Sequence, residues 1–222
     1  MIPWTTLGRA RTPGGGELIL QEHNGELAIR LDGYVLMSSR AHDSEEALAR
    51  LTCAQLANQS TPRVLIGGLG LGYTLRAALD RLPAKAQVVI AEIVAAVVEW
   101  NRGPVAHLAG RPLEDPRVTI EIDDVRAVLA RAGRFDGILL DVDNGPAAFT
   151  RPANRALYDA PGLAILRAAL RPGGVLGIWS SVTDGAFANR LRAASFRVEV
   201  PRVSARGPRG TKHAVFLATV DG

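Results

Sequence analysis

The run Val64-Leu65-Ile66-Gly67-Gly68-Leu69-Gly70-Leu71-Gly72-Tyr73-Thr74-Leu75-Arg76 constrains the fold more than any other stretch of the chain. Its apolar start reads as a parallel strand covered on both faces. The glycines at 68, 70 and 72 form a sharp turn that allows close approach of a ligand. The helix that follows directs free N–H groups at whatever sits on that turn. The spacing then excludes ligands one by one. A dinucleotide turn needs glycine at Tyr73 or Leu75. A P-loop starting at Gly67 has its second glycine and a hydroxyl at Thr74, but Tyr73 stands where its lysine belongs. What is left is a G-x-G-x-G turn of the kind that holds adenosyl groups without phosphate.

The rest of the 222 residues fit around this unit. Strands are expected near 63–67, 87–92, 117–122, 135–141 and 174–180. Helices are expected near 73–82, 94–102, 125–132, 158–170 and 185–194. Such alternation makes a doubly wound parallel sheet with right-handed crossovers. Two final strands, 196–200 and 213–219, follow each other without a helix, so the last pair is expected to be antiparallel. Upstream, Asn24-Gly25 and Asp32-Gly33 are hairpin turns. They predict an antiparallel meander of strands at 17–22, 26–31 and 34–38. Residues 1–16 are rich in Pro and Gly and are expected to be loosely ordered. A helix from Asp43 to about Ala57 carries a capping box, with Asp43 as N-cap and Glu46 at N3. The division expected is 1–60 for the meander and linking helix, and 61–222 for the ligand-binding domain.

A hydrophobic fraction of 47% argues for a packed core. The net charge of +4 comes almost wholly from arginine, since Lys85 and Lys212 are the only lysines. The basic loop from Pro201 to Lys212 lacks aromatics for stacking on bases, so nucleic acid is not expected. Cys53 is the only cysteine, which fits a cytoplasmic chain. The N-terminus lacks the pattern of a signal peptide. The longest apolar stretch, Val88 to Trp100, is interrupted by Glu92 and Glu99, so no membrane span is expected. His23, His42, His107 and His213 lack metal-ligand spacing, so no metal site is expected.

In open α/β sheets ligands sit at the carboxyl ends of the strands. Glu92 ends the second strand about two dozen residues past Gly68, where an acid accepts from ribose hydroxyls. Asp123 and Asp124 end the third. One of them is expected to cap the next helix, and the other to accept from the adenine amine. Asp141 and Asp143 leave the fourth strand on the same side. Two acids emerging from an apolar strand are costly unless paired or used. Their repulsion raises one pKa, and a carboxylate so tuned can take a proton from a nucleophile. His42, just before its helix, is either a wall of the pocket or a surface group.

Together these residues resemble the spermidine synthase-like branch of the class I S-adenosylmethionine-dependent methyltransferase superfamily, over roughly residues 30–180. Val64–Arg76 is similar to the family's glycine motif. Val89–Ile93 is similar to its ribose-binding Val-Glu-Ile, which brings in Ile93. Asp115-Pro116-Arg117-Val118 with Asp124 is similar to its Asp-Pro-Arg-Val and adenine-binding Asp. Phe135–Pro146 is similar to its catalytic segment, with Asp141 at the acid, and Leu170-Arg171-Pro172-Gly173-Gly174 to its conserved turn form. The resemblance implies a Rossmann-like seven-stranded sheet with an antiparallel last strand, preceded by the small β-meander. It also implies a homodimer.

The chain departs from the family in its polar contacts. The acid of the glycine motif that holds the ammonium of decarboxylated S-adenosylmethionine is replaced by Leu71. A second acid aligns with Asn144, and the amine-holding Gln and Tyr align approximately with Leu36 and Ser44. The first expectation is therefore methyl transfer from S-adenosylmethionine to a small-molecule acceptor. Aminopropyl transfer from the decarboxylated form, as in polyamine synthesis, is the alternative. A non-catalytic nucleoside-binding or oligomeric module is a third reading.

Overall fold

The computed structural model describes residues 3–142 and 156–222. The described residues form two sheets. The first contains β1 (Thr5–Arg11), β2 (Glu17–His23), β3 (Glu26–Leu31) and β4 (Tyr34–Ser38), paired in chain order and antiparallel. The two predicted hairpins turn at Asn24-Gly25 and Asp32-Gly33, and all four turn residues have positive φ.

β1 corrects the expectation of a loose N-terminus. The Pro/Gly-rich stretch is only a hairpin tip, closed by Thr12 N–H to Gly16 O at 2.9 Å and Gly15 N–H to Thr12 O at 2.8 Å. β1 itself is an outer edge strand, with most of its residues exposed. It therefore carries no apolar alternation from which to be recognised.

α1 (Asp43–Ala54) links the two sheets. It begins one residue earlier than the capping box would have it. His42 is the N-cap, and no side chain caps the helix. Asp43 Oδ2 instead accepts from Gly207 N–H at 2.6 Å, tying the basic loop to the start of α1. His42 stacks on Tyr73 with ring centroids 3.8 Å apart, outside the cavity wall.

The second sheet contains β5 (Arg63–Gly67), β6 (Gln87–Ala91), β7 (Val118–Glu121), β8 (Phe135–Leu140), β9 (Leu170–Ser180), β10 (Arg197–Glu199), β11 (Arg202–Ser204) and β12 (Lys212–Thr219). The helices between them are α2 (Tyr73–Leu79), α3 (Ala95–Arg102), α4 (Val125–Arg131), α5 (Ala160–Ala168) and α6 (Gly185–Ala193). The strand order is β10-β12-β9-β8-β5-β6-β7. β5 to β9 are parallel, and β12 runs antiparallel to β9. β10 and β11 pair with different ends of β12 and are two pieces of one bent edge strand. Counted so, the sheet has the seven strands expected. β9 starts earlier than predicted, because Arg171–Gly174 bulge out between the pairs Phe135↔Leu170 and Gly137↔Val175.

Val64, Leu65, Ile66, Ile138, Leu139 and Leu140 are fully buried, as strands covered on both faces must be. The crossover direction reverses between β5 and β8, since β6 lies on one side of β5 and β8 on the other. A crevice opens at such a switch point. Leu18, Leu20, Ile29 and Leu31 of the first sheet join the same hydrophobic cluster as Leu48, Val64 and Leu71. The meander thus packs onto the larger sheet and roofs that crevice.

Candidate active site

A cavity of about 380 Å³ lies at the carboxyl ends of β5, β6 and β8. Gly68 and Gly70 line its floor, and Glu92, Ile93, Asp123, Asp124 and Asp141 line its sides. Leu18, Ile29, Leu31, Leu36 and Met37 close it from the meander. Asp143 lies outside the described residues.

The glycine turn owes its shape to its neighbours. Gly68 has φ +87, its N–H donates to Ala91 O at 2.9 Å, and a Cβ there would overlap the Asp141 carbonyl oxygen. Gly70 has φ +53 and packs against Met37. Gly72 does not reach the cavity. It starts α2 in the left-handed conformation, and a Cβ would stand 2.9 Å from Asn101 Oδ1. Its glycine is required by this packing.

Glu92 is buried where the strand-end argument placed it. Its Oε2 accepts from Leu69 N–H at 3.0 Å, and its Oε1 from Val94 N–H at 2.8 Å. One carboxylate thus ties the glycine turn to the end of β6. Asp124 proves to be the N-cap of α4, accepting from Arg126 N–H at 2.8 Å. Asp123 accepts from Asp124 N–H at 2.8 Å and pairs with Arg131 at 2.7 Å. The Arg131 bond holds its pKa below the ordinary carboxylate value, so it faces the cavity as an acceptor. Exposed Ile93 supplies an apolar face beside these acids. Together they fit an adenosyl group.

Asp141 leaves β8 with its N–H held by Gly67 O at 2.9 Å. Its Oδ2 accepts from Thr74 Oγ1 at 2.6 Å. Burial raises its pKa above the usual carboxylate range, and the Thr74 bond offsets part of that rise. Opposite it stands Glu45, on the first turn of α1 and buried. Burial raises the Glu45 pKa too, and the Asp141 charge raises it further. Two carboxylates facing one cavity hold a proton more firmly than either alone. Trp179 of β9 completes this end of the wall, with its indole N–H buried and unpaired.

Sequence reasoning missed Glu45, Thr74, Met37 and Trp179. Glu45 directly precedes Glu46, which the capping box claimed, and no strand-end rule applies to a helix. Leu71 also has a different place from the one the resemblance implied. Its side chain is fully buried in the core, and its N–H donates to Met37 Sδ at 3.1 Å. The anionic side of the pocket comes from Glu45 instead.

No family model matches the chain. Individual relatives do. The chain is 31% identical over 215 residues to polyamine aminopropyltransferase 2 of Pseudomonas aeruginosa, covering 88% of this chain and 58% of that protein. It is 35% identical over 135 residues to putrescine N-methyltransferase 4 of Nicotiana tabacum, covering 59% of this chain and 32% of that protein. The chain therefore spans between a third and three fifths of the length of these relatives. The crystal structure of spermidine synthase from Thermotoga maritima superposes with a TM-score of 0.75 at 20% identity, over 96% of this chain and 72% of that one. The homologues and structural neighbours of this chain are thus polyamine aminopropyltransferases and spermidine synthases, a spermidine synthase-like family with the class I S-adenosylmethionine-dependent methyltransferase fold.

Proposed function

We propose that this protein transfers an aminopropyl group from decarboxylated S-adenosylmethionine to a small amine. One observation carries the reading. The cavity is lined by the carboxylates of Asp32, Glu45, Glu92, Asp123, Asp124 and Asp141, and among the described residues by no Arg, Lys or His. A carboxylate-bearing ligand entering such a wall would meet only like charge, and an uncompensated buried charge is strongly disfavoured. An ammonium-bearing donor and an amine acceptor both match it. Leu71 pointed toward the carboxylated cofactor; the acid pair of Glu45 and Asp141 tips the balance the other way.

In this reading Glu92 and the glycine turn hold the adenosyl part. Asp141 removes a proton from the acceptor nitrogen, and the apolar meander wall excludes water. Titration calorimetry should show tighter binding of the decarboxylated donor than of S-adenosylmethionine, by at least about tenfold, or 1.4 kcal/mol. Incubation with a panel of α,ω-diamines should release methylthioadenosine. Release of S-adenosylhomocysteine instead, with the affinities reversed, would establish methyl transfer to an amine. The putrescine N-methyltransferase relatives favour that second reading, and it uses the same acceptor chemistry.

Other parts of the reading concern setting. No metal participates in the proposed chemistry, and a cytoplasmic setting fits the single, buried and unpaired Cys53. Among the described residues no helix is long and apolar enough to cross a membrane. We also propose a homodimer through the meander. β1 and β4 are its open edges, and Leu7, Tyr34 and Val35 are exposed on them. Light scattering should give twice the chain mass at micromolar concentration. A monomer mass there would remove the meander as a contact surface.

A further inference from the structure

Alkylation of a protonated amine must dispose of a proton at every turnover. Among the described residues Asp141 has one hydroxyl partner, Thr74, which lies 3.4 Å from the Glu45 backbone carbonyl, a group that cannot pass a proton on. Glu45 has a partner that can. Ser44 Oγ donates to Glu45 Oε2 at 2.5 Å, and His213 Nδ1 lies 3.1 Å from the same Ser44 oxygen. Ser44 is fully buried, whereas His213 on β12 is half-buried. The three side chains thus lead from the cavity wall toward solvent. Trp179, itself a cavity residue, holds the His213 ring edge-on with centroids 4.8 Å apart.

We propose that Glu45, Ser44 and His213 form the exit route for the proton released by the acceptor amine, with Glu45 as its entrance. The proposal rests on the amine-alkylating reading of the site. The nitrogen gives its proton to the Glu45–Asp141 pair, and its lone pair forms the new N–C bond. The C–S bond breaks, and its electrons stay on sulfur as the neutral thioether. Protonated Glu45 then donates to Ser44 Oγ while the Ser44 proton passes to His213 Nδ1. The ring releases its Nε2 proton to water.

The chain of hydrogen bonds has a direction, and the charge of Glu45 sets it. With Glu45 ionised, Ser44 donates to it and must accept from His213, so the proton sits on Nδ1. With Glu45 protonated, Glu45 donates to Ser44, Ser44 donates to the ring, and the proton sits on Nε2. Burial lowers the His213 pKa, which keeps the ring neutral while Glu45 titrates above the ordinary range. The groups facing Glu45 are Asp141 from the end of β8, Tyr73 from α2, and Ser44 and Glu46 from α1. Those around His213 are Ser44 from α1 and Trp179 from β9, with Val203 opposite on β11.

Nitrogen-15 NMR of the His213 ring in the ligand-free full chain reads this direction without any turnover. The neutral ring should switch from Nε2–H to Nδ1–H as pH rises, and Ser44→Ala should abolish the switch. A ring whose tautomer ignores pH in the wild type, or switches equally in Ser44→Ala, overturns the route. With a diamine that the wild type alkylates, Ser44→Ala should lower kcat by about tenfold or more. The KM for the amine and donor affinity should stay unchanged, and Ser44→Thr should restore kcat. Unchanged kcat in a folded Ser44→Ala also overturns the route. A wild type that alkylates no amine overturns the functional reading and the proton's source with it, while the pH-driven tautomer switch would still stand.

Discussion

Asp141→Asn should lower turnover by roughly 10²–10⁴-fold while leaving donor affinity within a few fold. The amide keeps an oxygen to accept from Thr74 Oγ1, which donates to Asp141 Oδ2 at 2.6 Å in the wild type. The local fold therefore survives, and what disappears is a group able to take a proton from nitrogen. The same chemistry fixes the sign of the pH profile. Burial raises the pKa of Asp141, and burial together with the Asp141 charge raises that of Glu45. The base is inactive when protonated, so wild-type activity should fall as pH drops through a titration lying above the ordinary carboxylate range. Stopped assays across pH on both proteins check this. Full activity in Asp141→Asn would move the base elsewhere, and Glu45 would be next in line.

Gly68→Ala should destabilise the protein by about 2–4 kcal/mol, from a strained left-handed backbone and from overpacking. Gly68 has φ +87, and the new methyl would meet the Asp141 carbonyl oxygen, which is backbone and cannot swing aside. Relief requires the glycine turn and the end of β8 to separate. That movement would also disturb Leu69 N–H, which holds Glu92 at 3.0 Å. Stability and donor affinity should fall together in urea unfolding and calorimetry. A variant as stable as the wild type would show that the turn is looser than its contacts imply.

The parallel sheet was legible because strands covered on both faces leave unbroken apolar runs, such as Val64-Leu65-Ile66 and Ile138-Leu139-Leu140. Glu92, Asp123, Asp124 and Asp141 were legible because polar groups at the ends of such runs fall at the crevice. β1 was not, since an edge strand exposed on most of its length has nothing to alternate. Glu45 was not, for a different reason. Its burial is created by the cavity wall and by Asp141, more than ninety residues away, so local pattern describes only a polar helix start. Leu71 shows the converse error. A change of residue type at one aligned position was read as a loss of charge from the pocket, whereas the cavity wall also carries Glu45, from a different element.

The cavity is walled by both sheets, with Leu18, Ile29 and Leu31 on one side and Gly68, Glu92 and Asp141 on the other. A ligand touching both walls binds well only while the sheets are docked. Its binding free energy is therefore also free energy that opposes their separation. At a hundred times its dissociation constant, such a ligand adds about 2.7 kcal/mol to the cost of opening. The meander is the natural place for that opening, because each of its outer strands pairs on one side only. Hydrogen exchange in the meander should therefore slow as such a ligand fills the cavity, because the roof then opens only after the ligand leaves.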